Sequence, residues 1–372
     1  MKKMVVMGMM VAGIAGSGFA QDSIVRPASR GIESLSIRGR VQTQAGYVDA
    51  KNDDGSDDYS TLEVRRARIG LTGTLADNVR AQVEANVVPG SDLSMRSAFI
   101  QWREHKPAYV KVGMDKPLSS IEENTSSAAI MTIERSLINS LVAAPGPLTG
   151  VAVDGVHSML GVSSLLVYGA GVYTDTENRN ASQEDSKYLL NAMAGLKLDE
   201  LVGEGNSLLV RASFLTSDDP GGKVGGKFDD VIIGGAQLGL GGFGLQGEYF
   251  LGDKDGNEIK GFYVMPSFDI TEKLQLVARY EQAKSDKAKG IQAPSRYARS
   301  VPSLSSVKDD EGDTIADPSK GDDYRSLYVG VNYHIAGNGH KLMLGVDAAE
   351  LKNTDAGTLE TLTVSTAWRM LF

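Results

Sequence analysis

The chain has 372 residues, no cysteine, four histidines (His105, His157, His334 and His340), 43 glycines, and 38 basic against 47 acidic groups, a formal charge of −9. Without cysteine there is no disulfide scaffold, thiolate zinc site or thiol chemistry, and four scattered histidines are a poor basis for a metal centre. The acidic balance argues against nucleic acid as a partner, since non-specific binding to it needs a basic surface.

Residues 1–20 read as a cleaved export signal. Met1-Lys2-Lys3 is basic, Met4 to Ile14 is apolar, and Ser17-Gly18-Phe19-Ala20 offers small residues at the cleavage positions. Removal after Ala20 takes away Lys2 and Lys3 and moves the charge from −9 to −11. Residues 21–34 read as a short periplasmic segment. Beyond residue 20 no apolar run is long enough for a membrane-spanning helix.

From residue 35 to 372 the dominant pattern is alternation with period two, which gives a strand one apolar and one polar face. In Leu35 to Tyr47, Leu35, Ile37, Val41, Ala45 and Tyr47 oppose Ser36, Arg38, Arg40, Gln42 and Gln44. Residues 62–75 set Ala67, Ile69, Leu71 and Leu75 against Arg66, Arg68, Thr72 and Thr74. Residues 79–87 set Val79, Ala81, Val83, Ala85 and Val87 against Arg80, Gln82, Glu84 and Asn86. Continued to the end, the pattern predicts strands over 35–48, 62–75, 79–88, 93–102, 109–114, 151–159, 164–174, 187–198, 207–216, 228–239, 243–251, 260–269, 274–283, 324–335, 340–351 and 359–372. That makes sixteen, an even number as a bacterial outer-membrane barrel requires.

Connector lengths sort by parity. Those after even-numbered strands are short, such as Ala76-Asp77-Asn78 and Leu240-Gly241-Gly242. Those after odd-numbered strands are longer, including Asp49 to Thr61, Asp115 to Gly150, Asp175 to Ser186, Ser217 to Lys227 and Lys284 to Asp323; Pro89 to Asp92 is the exception. A barrel threaded from one side has this asymmetry, and a soluble sandwich has no reason for it. The last strand places Leu362, Val364, Thr366, Trp368, Met370 and the terminal Phe372 on one face, as outer-membrane sorting signals do.

The predicted fold is therefore an all-β, 16-stranded antiparallel transmembrane barrel. Backbone groups in hydrocarbon must be paired, so the sheet must close, and sixteen strands leave an aqueous bore. Passive diffusion of small hydrophilic solutes follows from that geometry. The Asp115 to Gly150 connector is expected to fold inward as a third-loop constriction.

The segment Leu62-Glu63-Val64-Arg65-Arg66-Ala67-Arg68-Ile69-Gly70-Leu71, then Gly73-Thr74-Leu75, Arg96-Ser97-Ala98-Phe99-Ile100, Gly113-Met114-Asp115-Lys116-Pro117, Ile133-Glu134-Arg135-Ser136-Leu137 and Gly150-Val151, resembles the phosphate-selective porin family of the outer membrane. The likeness is dense over about the first 150 residues and one of pattern thereafter. It implies homotrimers, with basic lumen residues drawing small anions such as phosphate or polyphosphate to a constriction. It calls for no cofactor and no metal.

Arginine keeps its charge at neutral pH and presents a planar fork suited to phosphate and carboxylate oxygens. By parity Arg38 and Arg40, Arg66 and Arg68, and Arg80 form one basic wall from three adjacent strands. Lys111 has the lumen parity of the fifth strand, and Lys116 and Arg135 flank the constriction. Arg65 has the opposite parity and is expected at a subunit contact or the membrane interface. Ser97 stands where the resemblance implies an acidic residue in many family members. Asp115, Glu122, Glu123 and Glu134 outnumber the third loop's two cations, which weakens the case for phosphate as the specific solute. Acidic outer segments, Asp53-Asp54-Gly55-Ser56-Asp57-Asp58, Asp218-Asp219 and the Lys308 to Asp323 stretch, are expected as solvated faces or contacts with lipopolysaccharide. Two alternatives remain at this point: a general non-selective porin, or an adhesive barrel using the Lys284 to Asp323 connector. No histidine sits beside a glycine-framed serine, so no catalytic constellation is predicted.

Overall fold

A computed structural model describes residues 32–53, 55–75, 78–104, 107–159, 162–174, 188–217, 228–298, 300, 307–308, 314–353 and 357–372. The predicted leader 1–20, residues 21–31 and Asp218-Asp219 lie outside the described residues. The strands are β1 Ile32–Asn52, β2 Gly55–Leu75, β3 Val79–Asn86, β4 Ser94–Trp102, β5 Tyr109–Asp115, β6 Leu148–Met159, β7 Val162–Thr174, β8 Tyr188–Lys197, β9 Ser207–Ser217, β10 Asp230–Leu240, β11 Phe243–Lys254, β12 Asn257–Asp269, β13 Leu274–Ser285, β14 Ile291–Gln292, β15 Val307–Lys308, β16 Thr314–Ala316, β17 Lys320–Gly321, β18 Asp323–Ala336, β19 His340–Asn353 and β20 Gly357–Leu371. Four short helices intervene: α1 Ile121–Asn124, α2 Leu137–Val142, α3 Asp199–Val202 and α4 Ser295–Ala298.

Strands β1 to β13 and β18 to β20 close into one sixteen-stranded barrel in chain order, every pair antiparallel. The seam joins β1 to β20 from Arg40↔Leu371 to Lys51↔Glu360. It is finished at the terminus, where Gly39 N–H donates to Phe372 O at 2.7 Å and Phe372 N–H to Gly39 O at 3.1 Å. Closure leaves the barrel itself no open sheet edge among the described residues, the condition for crossing hydrocarbon.

The alternation read from sequence sorts side chains as expected. On β18, Leu327 and Val329 are 51% and 52% exposed on the outer face, while Ser326 and Asn332 point inward and are buried. On β20, Leu362 and Trp368 face out, and Thr363, Ser365 and Arg369 face in. A surface of exposed apolar side chains around a polar interior inverts the pattern of a soluble protein and matches a barrel wall in lipid.

Two expectations need correction. Asp49 to Thr61 is not a long loop: β1 and β2 continue past the predicted ends as a hairpin with register Asp49↔Asp58 and Asn52↔Gly55. The alternation persists there, with Val48 and Ala50 buried inside, so the acidic run 55–58 is strand. Nor is the interior wet throughout. Val48, Ala50, Phe250, Ile259 and Ala283 of the wall enclose Leu137, Ile138 and Leu141 of α2 in an apolar cluster inside the bore. Strand β12 admits the helix because residue 261 is glycine; a Cβ there would lie 2.9 Å from Ile138 Cγ1.

The β5–β6 connection, 116–147, which is the predicted third loop of the long-connection side, lies inside the barrel as expected, and its backbone is tied to the wall around the bore. Arg369 donates to Ile130 O at 3.0 Å, Thr132 O at 3.1 Å and Ile133 O at 2.6 Å. Lys341 donates to Ile130 O at 2.9 Å, Asn332 to Met131 O at 2.8 Å, and Arg211 to Ser119 O at 2.7 Å. In the other direction Glu248 accepts from Ile121 N–H and Glu281 from Leu137 N–H, at 2.5 and 2.7 Å. Ser120 and Ser136 cap α1 and α2 by accepting from Glu123 N–H and Asn139 N–H.

Candidate functional site

The predicted basic wall assembles on β1 to β5. Register pairs Arg40 with Arg68 and Gln42 with Arg66, and brings Thr74 opposite Arg80. Arg38 and Arg80 share Gln82, whose Oε1 accepts at 3.5 and 2.7 Å. Arg40 reaches the third loop, donating to Ser127 and, at 3.0 Å, to Ser126. Arg68 donates to Asn86 at 2.9 Å and meets Glu84 at 3.4 Å.

The remaining predicted cations are more fully partnered. Arg66 donates to Gln42 at 2.8 Å and pairs with Glu134 at 3.1 Å. Lys111 pairs with Asp115 at 2.7 Å and lies 5.0 Å from the Phe99 ring centre. Lys116 pairs with Glu123. Arg135 donates to the Glu122 and Thr125 carbonyls at 3.0 and 2.7 Å and faces Glu123 at 3.3 Å. All eight predicted residues thus sit along the bore, the first six on the wall and Lys116 and Arg135 on the loop that crosses it.

Two arginines were missed for one reason. Between Gln42↔Arg66 and Thr43↔Val64 the register skips Arg65, and between Glu84↔Ser97 and Ala85↔Met95 it skips Arg96. Each is the extra residue of a β-bulge, which re-aims a side chain that strict alternation would point at lipid. Arg65 therefore enters the lumen and pairs with Glu134 at 2.8 Å, correcting the expected interface placement. Arg96 comes within electrostatic reach of Glu84, Asp115 and Arg135. The sequence did carry a cue: Arg65-Arg66 and Arg96-Ser97 are adjacent polar pairs in otherwise alternating strands.

Arg211, Arg279, Lys341 and Arg369 on the far wall were also missed. They serve chiefly as anchors: Arg279 is fully buried and meets Glu281 at 3.3 Å, Glu122 at 3.5 Å and the Glu134 carbonyl at 2.9 Å.

The third loop's excess of acids is therefore largely spent on ion pairs. Burial alone would push the Glu134 carboxyl up, but Arg66 and Arg65 outweigh it and hold the group well below the usual carboxylate range. For Lys116, burial comes first and the guanidinium groups of Arg135, Arg96, Arg68 and Arg66 follow, together pulling its ammonium down to about 6. Where Arg38, Arg40, Arg80 and Arg96 project, the nearby wall carboxylates among the described residues are Glu84, shared with Arg68, and Asp115, paired with Lys111, so that stretch of the bore carries net positive charge.

The family model described as phosphate-selective porin O and P matches residues 35–241, more than half of the chain. The chain belongs to the phosphate-selective porin O and P family. No curated protein shows significant similarity to this porin. Among solved structures the porin resembles an anion-selective porin from Comamonas acidovorans, with 13% identity over 91% of this chain and 99% of the other at a TM-score of 0.59. It also resembles the outer membrane channel DcaP of Acinetobacter baumannii, with 15% identity, 91% and 97% coverage and a TM-score of 0.57. A third likeness is the trimer form of OmpT from Vibrio cholerae, with 12% identity, 92% and 100% coverage and a TM-score of 0.54. At these identities the likeness is one of fold, and it covers nearly the whole length of each structure. The porin is thus a closed sixteen-stranded barrel of an outer-membrane porin family.

Proposed function

We propose that this porin passes small hydrophilic anions by passive diffusion, with phosphate or polyphosphate-like oxyanions as its preferred class and the third loop as its constriction. The observation that carries this is the surplus of arginine on one wall: among the described residues Arg38, Arg40, Arg80 and Arg96 form no ion pair of their own, and Arg68 shares Glu84 with that stretch. Guanidinium groups in series give an anion several weak sites, each able to release it to the next. The pairing of Glu134 with Arg65 and Arg66, and of Glu123 with Arg135, reduces the repulsion that the acidic third loop would otherwise exert.

The trimeric form recorded for the fold neighbour from Vibrio cholerae supports a homotrimer here. Paired charges on the outer face near the long-connection rim, Lys260 with Glu258 and Lys352 with Glu350, suit contact with lipopolysaccharide. Reversal potential in a potassium chloride gradient across a planar bilayer tests the proposal: a potential of the sign for anion preference is expected, and a cation-preferring or unselective pore overturns it. A gradient of phosphate against chloride then ranks the two anions.

A further inference from the structure

The connection between β13 and β18 is the candidate adhesive segment, yet residues 291–297 of it fold into the bore. Strand β14 pairs with β17, and Asp322 N–H donates to Lys352 O of β19 at 2.9 Å. Ile291, Ala293 and Tyr297 are buried in the same apolar cluster as α2 of the third loop. This seats α4 above the constriction, on the side of the long connections.

At its tip Arg296 and Tyr297 converge on Asp347 of β19. Tyr297 OH donates to Asp347 Oδ2 at 3.0 Å, and Arg296 Nη2 lies 3.5 Å from the same oxygen and 3.1 Å from the phenol. The guanidinium is 4.8 Å from the Tyr297 ring centre, so it is held at a defined place. Across the bore it is within electrostatic reach of Glu134 and Arg65. Arg65, Arg66, Glu134, Arg135, Arg296 and Asp347 line one cavity of about 340 Å³. Among the described residues, Arg296 Nε and Asp347 Oδ1, both buried, have no hydrogen-bond partner.

We propose that Arg296 is a specificity-determining residue: with Arg65 it forms an oxyanion station at the outer side of the constriction, which takes the carboxylate or phosphate group of an incoming solute before the basic wall does. The guanidinium fork favours planar or tetrahedral oxyanions over halide. Asp347 and Tyr297 are positioning residues that fix the fork. The inference rests on the anion-pore reading, and the experiment separates the two.

Chloride current through the full-length porin in planar bilayers is titrated with inorganic phosphate or, in a second arm, acetate, added on the long-connection side. Saturable reduction of the current is expected for the unsubstituted protein. In Arg296→Gln the midpoint should rise about fivefold, the order expected for losing one partly solvated charge contact. Arg296→Lys should retain part of the effect, and Asp347→Asn, which frees the guanidinium from its anchor, should also move the midpoint. An anion-selective parent whose midpoint is the same in Arg296→Gln and Arg296→Lys, or which shows no saturable effect of either oxyanion, overturns the inference while leaving the anion pore standing. A parent without anion preference overturns the underlying reading. Should Arg296→Gln fail to insert, Arg296→Lys and Asp347→Asn decide the question by the same titration.

Discussion

Neutralising Arg40 and Arg68 together is the most direct perturbation of the basic wall. The two are register partners on β1 and β2, so they act at one level of the bore. Among the described residues the Arg40 side chain donates to the hydroxyls of Ser126 and Ser127, whereas Arg68 is partly offset by Glu84. An anion passing about 5 Å from a unit charge gains about 0.8 kcal/mol in water. A Debye length of about 8 Å at physiological salt trims this to about half. Removing both charges therefore costs about 0.9 kcal/mol of anion stabilisation at that level, or about a four- to fivefold drop in local anion occupancy. Cations gain correspondingly, so the permeability ratio should fall by about tenfold or more. The assay is the reversal potential of Arg40→Gln/Arg68→Gln in a potassium chloride gradient, repeated at higher salt, where the difference from the parent should shrink. Heat-modifiable gel mobility would check that the barrel still closes. An unchanged ratio in a correctly folded double variant would refute the idea that this wall sets selectivity. Arg66 is a poorer target because it also holds Glu134 of the third loop, so its loss would mix charge with loop position.

The other predictions concern the loop. Arg369→Ala removes the donor to three third-loop carbonyls, each such bond to a charged group being worth about 1.5 to 3 kcal/mol; single-channel recordings should show a noisier pore of higher conductance. An unaltered, quiet conductance would mean that the remaining ties hold the loop alone. Lys116, with its ammonium drawn down to about 6, is largely neutral at pH 7.5 and gains charge as the pH falls through about 6. Anion preference should therefore rise between pH 7.5 and 5.5 in the parent. Carboxylates that protonate over the same range act in both proteins, so the part owed to Lys116 is the difference from Lys116→Met, and equal pH dependence in the two would dismiss it.

The strand count and the closure were legible because they follow from periodicity, and periodicity is local; the inward third loop was legible from the length of its connector and the width of the bore. Each of the sixteen predicted strands lies on one barrel strand, and the eight chosen cations sit along the bore. What parity could not carry was any place where the pleat slips. At Arg65 and Arg96 one extra residue reverses inside and outside, and alternation alone assigns such a residue to the wrong face. The far-wall anchors were hidden for a different reason. Arg279 or Lys341 in an alternating strand looks like any lumen cation, and only the path of a loop more than a hundred residues away in sequence shows that it grips backbone carbonyls. The same applies to the loop acids, whose partners on β2 and within the loop turn an apparent surplus of negative charge into local neutrality.

The bulge at Arg65 has a consequence for how such pores diversify. Above it the inward residues of β2 are odd-numbered, such as Thr61 and Glu63, and below it they are even, such as Arg66 and Arg68. Excising that one codon would join the two halves into an unbroken pleat, with every other side chain keeping its side of the membrane wall. A guanidinium at the throat is thus a detachable module, gained or lost in a single genetic event, and the lipid-facing surface need not be rewritten to retune what the tube lets through.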